Sequence, residues 1–213
     1  LGNAVVPGRF ITFEGGEGAG KSTQVALLGG RLRAAGHEVI ATHEPGGTPA
    51  ATDIRRLLVE GSVDRWEPFS ELLLHNAARH EHVQKIIGPA LAAGKWVVCD
   101  RFADSTMAYQ GQAQNVDRDM VARINRAAAG DVWPDLTIVL DLAVAEGLAR
   151  AQKRSDVEDR YERMGTVFHE RIRGAFFDIA KAEPGRCAAV EAAGDVDQVA
   201  GEVWDTVRTR LSM

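Results

Sequence analysis

Arg9-Phe10-Ile11-Thr12-Phe13-Glu14-Gly15-Gly16-Glu17-Gly18-Ala19-Gly20-Lys21-Ser22-Thr23 is the stretch on which the fold reading turns. Its first six residues form a β-branched and aromatic run, the pattern of a short buried strand. A glycine cluster ends that run, and from Lys21 onward Val25, Leu28 and Leu32 recur at helical spacing. Residues 15–22 fit G-x-x-x-x-G-K-[ST] in the strand-loop-helix context that the motif requires. Glycines let successive backbone N–H groups face one concave site, and the helix N-terminus adds partial positive charge there. Gly15, Gly16, Glu17, Gly18, Ala19, Gly20, Lys21, Ser22 and Thr23 are therefore the expected cradle for the phosphates of ATP. Lys21 would bridge the β- and γ-phosphates, and the Ser22 hydroxyl would ligate Mg²⁺.

Outward from the loop, short apolar runs alternate with helical patterns. Glu38-Val39-Ile40-Ala41-Thr42 reads as a second strand, broken by Glu44-Pro45-Gly46-Gly47-Thr48. Ile54, Leu57 and Leu58 suggest a short helix, and Leu72, Leu73, Ala77, Val83, Ile86 and Ile87 a longer one ending near Gly88-Pro89. Trp96-Val97-Val98-Cys99, Leu136-Thr137-Ile138-Val139-Leu140 and the weaker Cys187-Ala188-Ala189-Val190 complete the strands. This alternation predicts an α/β fold, a central parallel sheet with helices on both faces and right-handed crossovers. One domain is expected over residues 1–213, with no repeat and no linker.

Composition bounds the function. The 213 residues are 45% hydrophobic and 26% charged, enough to bury a core without staples. Two cysteines without metal-ligand spacing, and no charged-then-apolar leader, point to a cytoplasmic protein. No apolar run reaches the roughly 18 residues of a membrane span. A net charge of −5 argues against a nucleic-acid partner.

A second site follows the Trp96 run, where Asp100 and Arg101 are delivered together at the carboxyl end of a strand. Asp100 can hold a water of the Mg²⁺ shell and Arg101 can grip a phosphate bidentately. Here the chain resembles the bacterial thymidylate kinases. The resemblance rests on Phe13-Glu14-Gly15-Gly16-Glu17-Gly18, Glu44-Pro45-Gly46-Gly47-Thr48, Asp100-Arg101-Phe102 continuing to Ser105-Thr106-Met107-Ala108-Tyr109-Gln110-Gly111, and Pro134-Asp135-Leu136-Thr137, in that order. It implies the P-loop NTPase fold, transfer from Mg²⁺·ATP to dTMP, and a homodimer. The apolar helix carrying Leu72, Leu73 and Ala77 would supply the dimer contact.

Position by position, the resemblance puts Glu17 near the acceptor's 3′-hydroxyl and phosphate, with Arg55 and Arg101 on that phosphate. Arg79 would hydrogen-bond the thymine edge, Thr106 and Gln110 would complete base recognition, and Ser105 belongs to the same segment. Tyr109 would exclude a 2′-hydroxyl. His75 stands where the family carries a phenylalanine stacking on thymine, so weaker and pH-sensitive stacking is expected.

Arg150, Lys153, Arg154, Arg160 and Arg163 crowd a stretch interleaved with Asp156, Glu158, Asp159 and Glu162. A charge run is usually a solvated helix face. The functional reading is a mobile lid over about 150–163 that brings a guanidinium to the transferring phosphoryl group. Because the phosphate loop holds an acid at Glu17, that cation should come from outside it, and Arg150, Arg154 and Arg160 are the candidates. Asp195-Val196, after the last strand, is the expected place for adenine contacts. Two other readings stay open: a kinase of the same fold with another nucleotide or nucleoside acceptor, and a regulatory nucleotide-binding protein without an acceptor.

Overall fold

The computed structural model describes residues 8–153 and 159–213. Five parallel strands form one sheet in the order β2-β3-β1-β4-β5: β1 (Phe10–Glu14), β2 (Val39–His43), β3 (Trp96–Asp100), β4 (Leu136–Asp141) and β5 (Cys187–Glu191). The expected strands are all present, including the weak last one. Side chains along a strand alternate between faces, and here both faces are covered. From β1 and β3, Ile11, Phe13 and Val98 pack with Val25, Leu28 and Leu32 of α1 (Lys21–Ala34) and with Val199, Val203 and Val207 of α9 (Val196–Leu211). On the opposite face Phe10, Val97 and Cys99 pack against Val83 and Ile87. Further along that face, Val139 and Cys187 meet Ile172, Phe176 and Ile179 of α8 (Thr166–Ala182).

The helix α2 (Pro49–Val59) is capped by Thr48, whose side chain accepts from Ala51 N, and Pro49 occupies its first turn. The longer helix departs from expectation at its end. α3 (Pro68–His82) does not stop near Gly88-Pro89; it widens into a π-helical segment, Val83–Ile87, and continues as α4 (Gly88–Ala92). The Gly88 N–H reaches back five residues to Val83 O, and Pro89 then falls in a first turn that needs no N–H from it. A second widening follows β3, where α5 (Ala103–Thr106) opens into the π-helical segment Met107–Ala113. Two further helices, α6 (Arg118–Ala129) and α7 (Val144–Gln152), complete the described layers. Among the described residues no helix is long and apolar enough to cross a membrane.

Order β2-β3-β1-β4-β5 places β1 at the sheet centre, with its carboxyl end beside those of β3 and β4. The phosphate loop leaves from β1 and Asp100-Arg101 from β3, so both arrive at the crevice where open α/β sheets hold ligands.

Candidate active site

The loop between β1 and α1 is held by its backbone. Gly18 adopts φ +68°, and a Cβ there would stand 2.0 Å from Gly147 O on α7; a Cβ on Gly147 would stand 2.3 Å from Glu17 O. Two glycines thus allow loop and helix to meet main chain to main chain. Lys21 is buried, and its amine donates to Gly15 O at 3.1 Å and Gly16 O at 2.7 Å. Burial, then the charge of Arg101, lowers its pKa to about 8. The Ser22 hydroxyl donates to Asp100 Oδ2 at 2.5 Å, which joins the loop to β3.

Arg101 has φ +69°, uncommon for a residue with a side chain. The turn is fixed by a buried carboxyl at the end of β1. Glu14 accepts from Phe102 N at 2.8 Å, Ser105 N at 3.3 Å and Ser105 Oγ at 2.6 Å. Burial, reinforced by Asp104, raises Glu14 to about 8. So turned, Arg101 donates to Gly15 O at 3.1 Å, Ser105 Oγ at 3.2 Å and Glu17 Oε1 at 3.0 Å. Tyr109 donates its hydroxyl to the same Glu17 oxygen at 2.6 Å. Burial pushes the Glu17 carboxyl up, but Arg101 and Lys21 outweigh it and bring the pKa to about 2, so Glu17 is a carboxylate at neutral pH.

Two clefts meet at these residues. One, of about 940 Å³, is lined by Gly18, Gly20, Lys21, Ser22, Thr23 and Asp100. The other, of about 550 Å³, is lined by His75, Ser105, Thr106, Tyr109, Gln110 and Tyr161. Glu17, Glu44, Arg55, Arg101 and Glu162 line both. Arg55, on α2, donates to Pro45 O at 3.1 Å. Among the described residues no cluster of three or more His, Cys, Asp or Glu gathers into a metal site. Ser22 and Asp100 nevertheless offer adjacent oxygen donors beside the phosphate cradle, the ligand type Mg²⁺ takes when phosphates and water supply the remainder.

The sequence model of the thymidylate kinase family matches residues 13–203. The chain is 48% identical over 206 residues to the thymidylate kinase of Caulobacter vibrioides, covering 97% of this chain and 99% of that one. It is 49% identical over 204 residues to the thymidylate kinase of Magnetococcus marinus, covering 96% and 97%. The chain belongs to the thymidylate kinase family. The crystal structure of thymidylate kinase from Ehrlichia chaffeensis superposes with a TM-score of 0.78 at 35% identity, covering 95% of this chain and all of the other.

Several of the residues carried over from the family stand in other surroundings than expected. Arg79 is buried and lines neither cleft. Its Nε donates to Glu44 Oε2 at 2.8 Å, Nη1 to Asn125 Oδ1 at 2.9 Å and Thr106 Oγ1 at 3.2 Å, and Nη2 to Phe102 O at 3.0 Å. In this structure the guanidinium ties Glu44 and Thr106, which line the second cleft, to Asn125 and Phe102 behind them. His75 does line that cleft, but its pH sensitivity needs correction. Burial and then Arg79, Arg101, Arg160 and Arg55 depress its pKa to about 3, so the imidazole stays neutral at working pH. Its Nε2 is 2.9 Å from Tyr161 Oη.

The lid candidates separate. Arg160 is fully buried and lines neither cleft; it donates to Leu58 O, Ser62 O and Val63 O at 2.9–3.0 Å. It clamps residues 159–163 onto the end of α2, and a guanidinium so engaged is not available to a transferring phosphoryl group. Arg150 donates to Glu146 Oε1 at 2.6 Å and Ala192 O at 3.3 Å, and it too lines neither cleft. Arg154, Asp156 and Glu158 lie outside the described residues. Asp195 caps α9 by accepting from Asp197 N and Gln198 N, while Val196 is exposed with its carbonyl on Gln24 of α1. That places the pair beside the first turn of α1.

Sequence reasoning missed His43, Glu44, Pro45, Val59, Tyr161 and Glu162 as cleft residues. Glu44 and Pro45 were visible in a recognised motif without a role. Tyr161 and Glu162 lay inside a charge run whose common reading is solvation.

Proposed function

We propose that this chain transfers the γ-phosphoryl group of ATP to the 5′-phosphate of dTMP, giving ADP and dTDP, with donor and acceptor in the two joined clefts. One observation carries the reading: Glu17, Arg55 and Arg101 belong to the walls of both, so the point where they merge is a place for a phosphoryl group to pass. The acceptor phosphate is already ionised at neutral pH and needs no strong base, so positioning and charge neutralisation dominate. Lys21 leaves its carbonyl partners for the β- and γ-phosphates. Arg101 and Arg55 hold the acceptor phosphate. Ser22 and Asp100 would hold Mg²⁺ or its waters, and the ion would neutralise charge on the phosphate oxygens.

Glu17, as a carboxylate, accepts the sugar 3′-hydroxyl while it anchors Arg101 and Tyr109. The Tyr109 ring occupies the space a 2′-hydroxyl needs, and steric blockade is a cheap way to exclude one hydroxyl. His75, Thr106 and Gln110 take the base, with Arg79 fixing Thr106 from behind. The further cation is Arg154, or Arg150 once its half-exposed guanidinium leaves Glu146 and Ala192. The protein acts in the cytoplasm as a single kinase domain without a nucleic-acid partner. It forms a homodimer through the α3 face where Phe69, Leu73 and Ala77 are exposed while Leu72 is in the core.

ATP labelled in the γ-phosphate should pass its label to dTDP only when dTMP is present. Lys21→Ala should lower kcat by about a hundredfold or more with the far-UV spectrum unchanged. Label released as inorganic phosphate regardless of dTMP would favour the regulatory reading instead.

A further inference from the structure

Glu71 lies fully buried in the first turn of α3, behind the acceptor cleft. Gln110 Nε2 donates to its Oε1 at 2.7 Å, and Gln114 Nε2 donates to the same atom at 3.0 Å. Arg160 Nη1 stands 2.6 Å from Oε2 as an ion contact, its aligned hydrogen bond going to Leu58 O.

A carboxylate accepts and cannot donate, so the end of the Gln110 amide that faces Glu71 must be the NH₂. The carbonyl Oε1 is then left over. It is buried with no partner in the protein, on a residue that lines the acceptor cleft. Gln24 and Gln114 also hold unpartnered carbonyl oxygens, but neither residue lines that cleft. A buried acceptor without a donor is costly until something supplies one, and a ligand with an N–H on its edge would do so.

We propose that Glu71 is a positioning residue for base specificity: by accepting from the Gln110 amide it presents Gln110 Oε1 as an acceptor, which selects the N3–H of a thymine-type imide against cytosine, whose N3 is itself an acceptor. The inference rests on the acceptor reading above and assigns its base selectivity to a carboxylate outside the cleft. Facing cytosine, the amide cannot turn around, because that would set its carbonyl against Glu71.

The test compares dTMP with 5-methyl-dCMP, which share sugar, phosphate and methyl group and differ at the 3,4-edge. In the unaltered protein kcat/KM should favour dTMP by about a hundredfold or more. Glu71→Gln offers both a donor and an acceptor, which frees Gln110 to turn. The ratio should shrink about tenfold or more, chiefly through KM. Gln114→Met should keep the original ratio. If Glu71→Gln alone fails to fold with Arg160 left unpaired, Glu71→Gln with Arg160→Met removes both charges and is used for the same ratio. A folded variant that melts lower and turns over both substrates more slowly at an unchanged ratio would show a structural role only and overturn the proposal. An unaltered protein that turns over dTMP and 5-methyl-dCMP equally would overturn it too. Absence of any turnover of dTMP would bring down the acceptor reading itself, and this inference with it.

Discussion

His75 lines the same cleft as Tyr109 and Gln110 as a neutral ring held against Tyr161, and its surroundings have a measurable consequence. In the unfolded chain a histidine takes up a proton near 6.5, whereas here the folded protein does not until about pH 3. The stability that His75 contributes is therefore fully present above pH 6.5 and is lost as pH falls from 6.5 toward 3. His75→Phe should shrink the drop in melting temperature between pH 7 and pH 5, at a cost near pH 7 of about 1 kcal/mol for the lost Tyr161 contact. An unchanged drop would contradict the assignment. Neighbouring residues show why roles are harder to read than motifs. Lys21, Ser22 and Asp100 were legible because their chemistry is fixed by local spacing, and the structure brings them together. Arg79 and Arg160 were visible as cations, but a one-dimensional pattern does not reveal that Glu44, Asn125, Glu71 and four carbonyls engage them.

Among the elements, α7 does more than connect β4 to the basic stretch. Its Gly147 meets the phosphate loop main chain to main chain, and no motif announces it. Gly147→Ala would force a Cβ to within 2.3 Å of Glu17 O, so the loop or the helix must move. Overpacking of this kind costs roughly 1–3 kcal/mol. Weaker ATP binding together with a lower melting temperature is the expected result, measured by calorimetry; an unshifted affinity would show that the contact does not set the loop. Pro89 reads in sequence as a stop, but the five-residue reach from Gly88 to Val83 resets the helix and Pro89 starts a new first turn. Strands were easier to place, because β-branched runs between glycines carry their own period, and even the short Cys187 run pairs with β4 in register.

For the whole molecule, alternation of strands and helices was sufficient to give the parallel sheet covered on both faces, while the strand order came only with the structure. That order sets β1 between β3 and β4 and so merges the two clefts at Glu17 and Arg101. The proposed dimer would cover the exposed face of α3. Leu73 is 47% exposed and Phe69 45%, unlike the buried Leu72 one position away. Leu73→Glu should convert a dimer into a monomer in sedimentation, with the melting temperature of the monomer little changed; an unaltered mass would place the contact elsewhere. ADP production by the purified protein with Mg²⁺·ATP and, in turn, dTMP, dUMP, UMP, dGMP and AMP measures the choice of acceptor directly. Strong turnover with dTMP and little with UMP is the predicted result. Equal or greater turnover with UMP, dGMP or AMP, or ADP formation that ignores the acceptor, would contradict it.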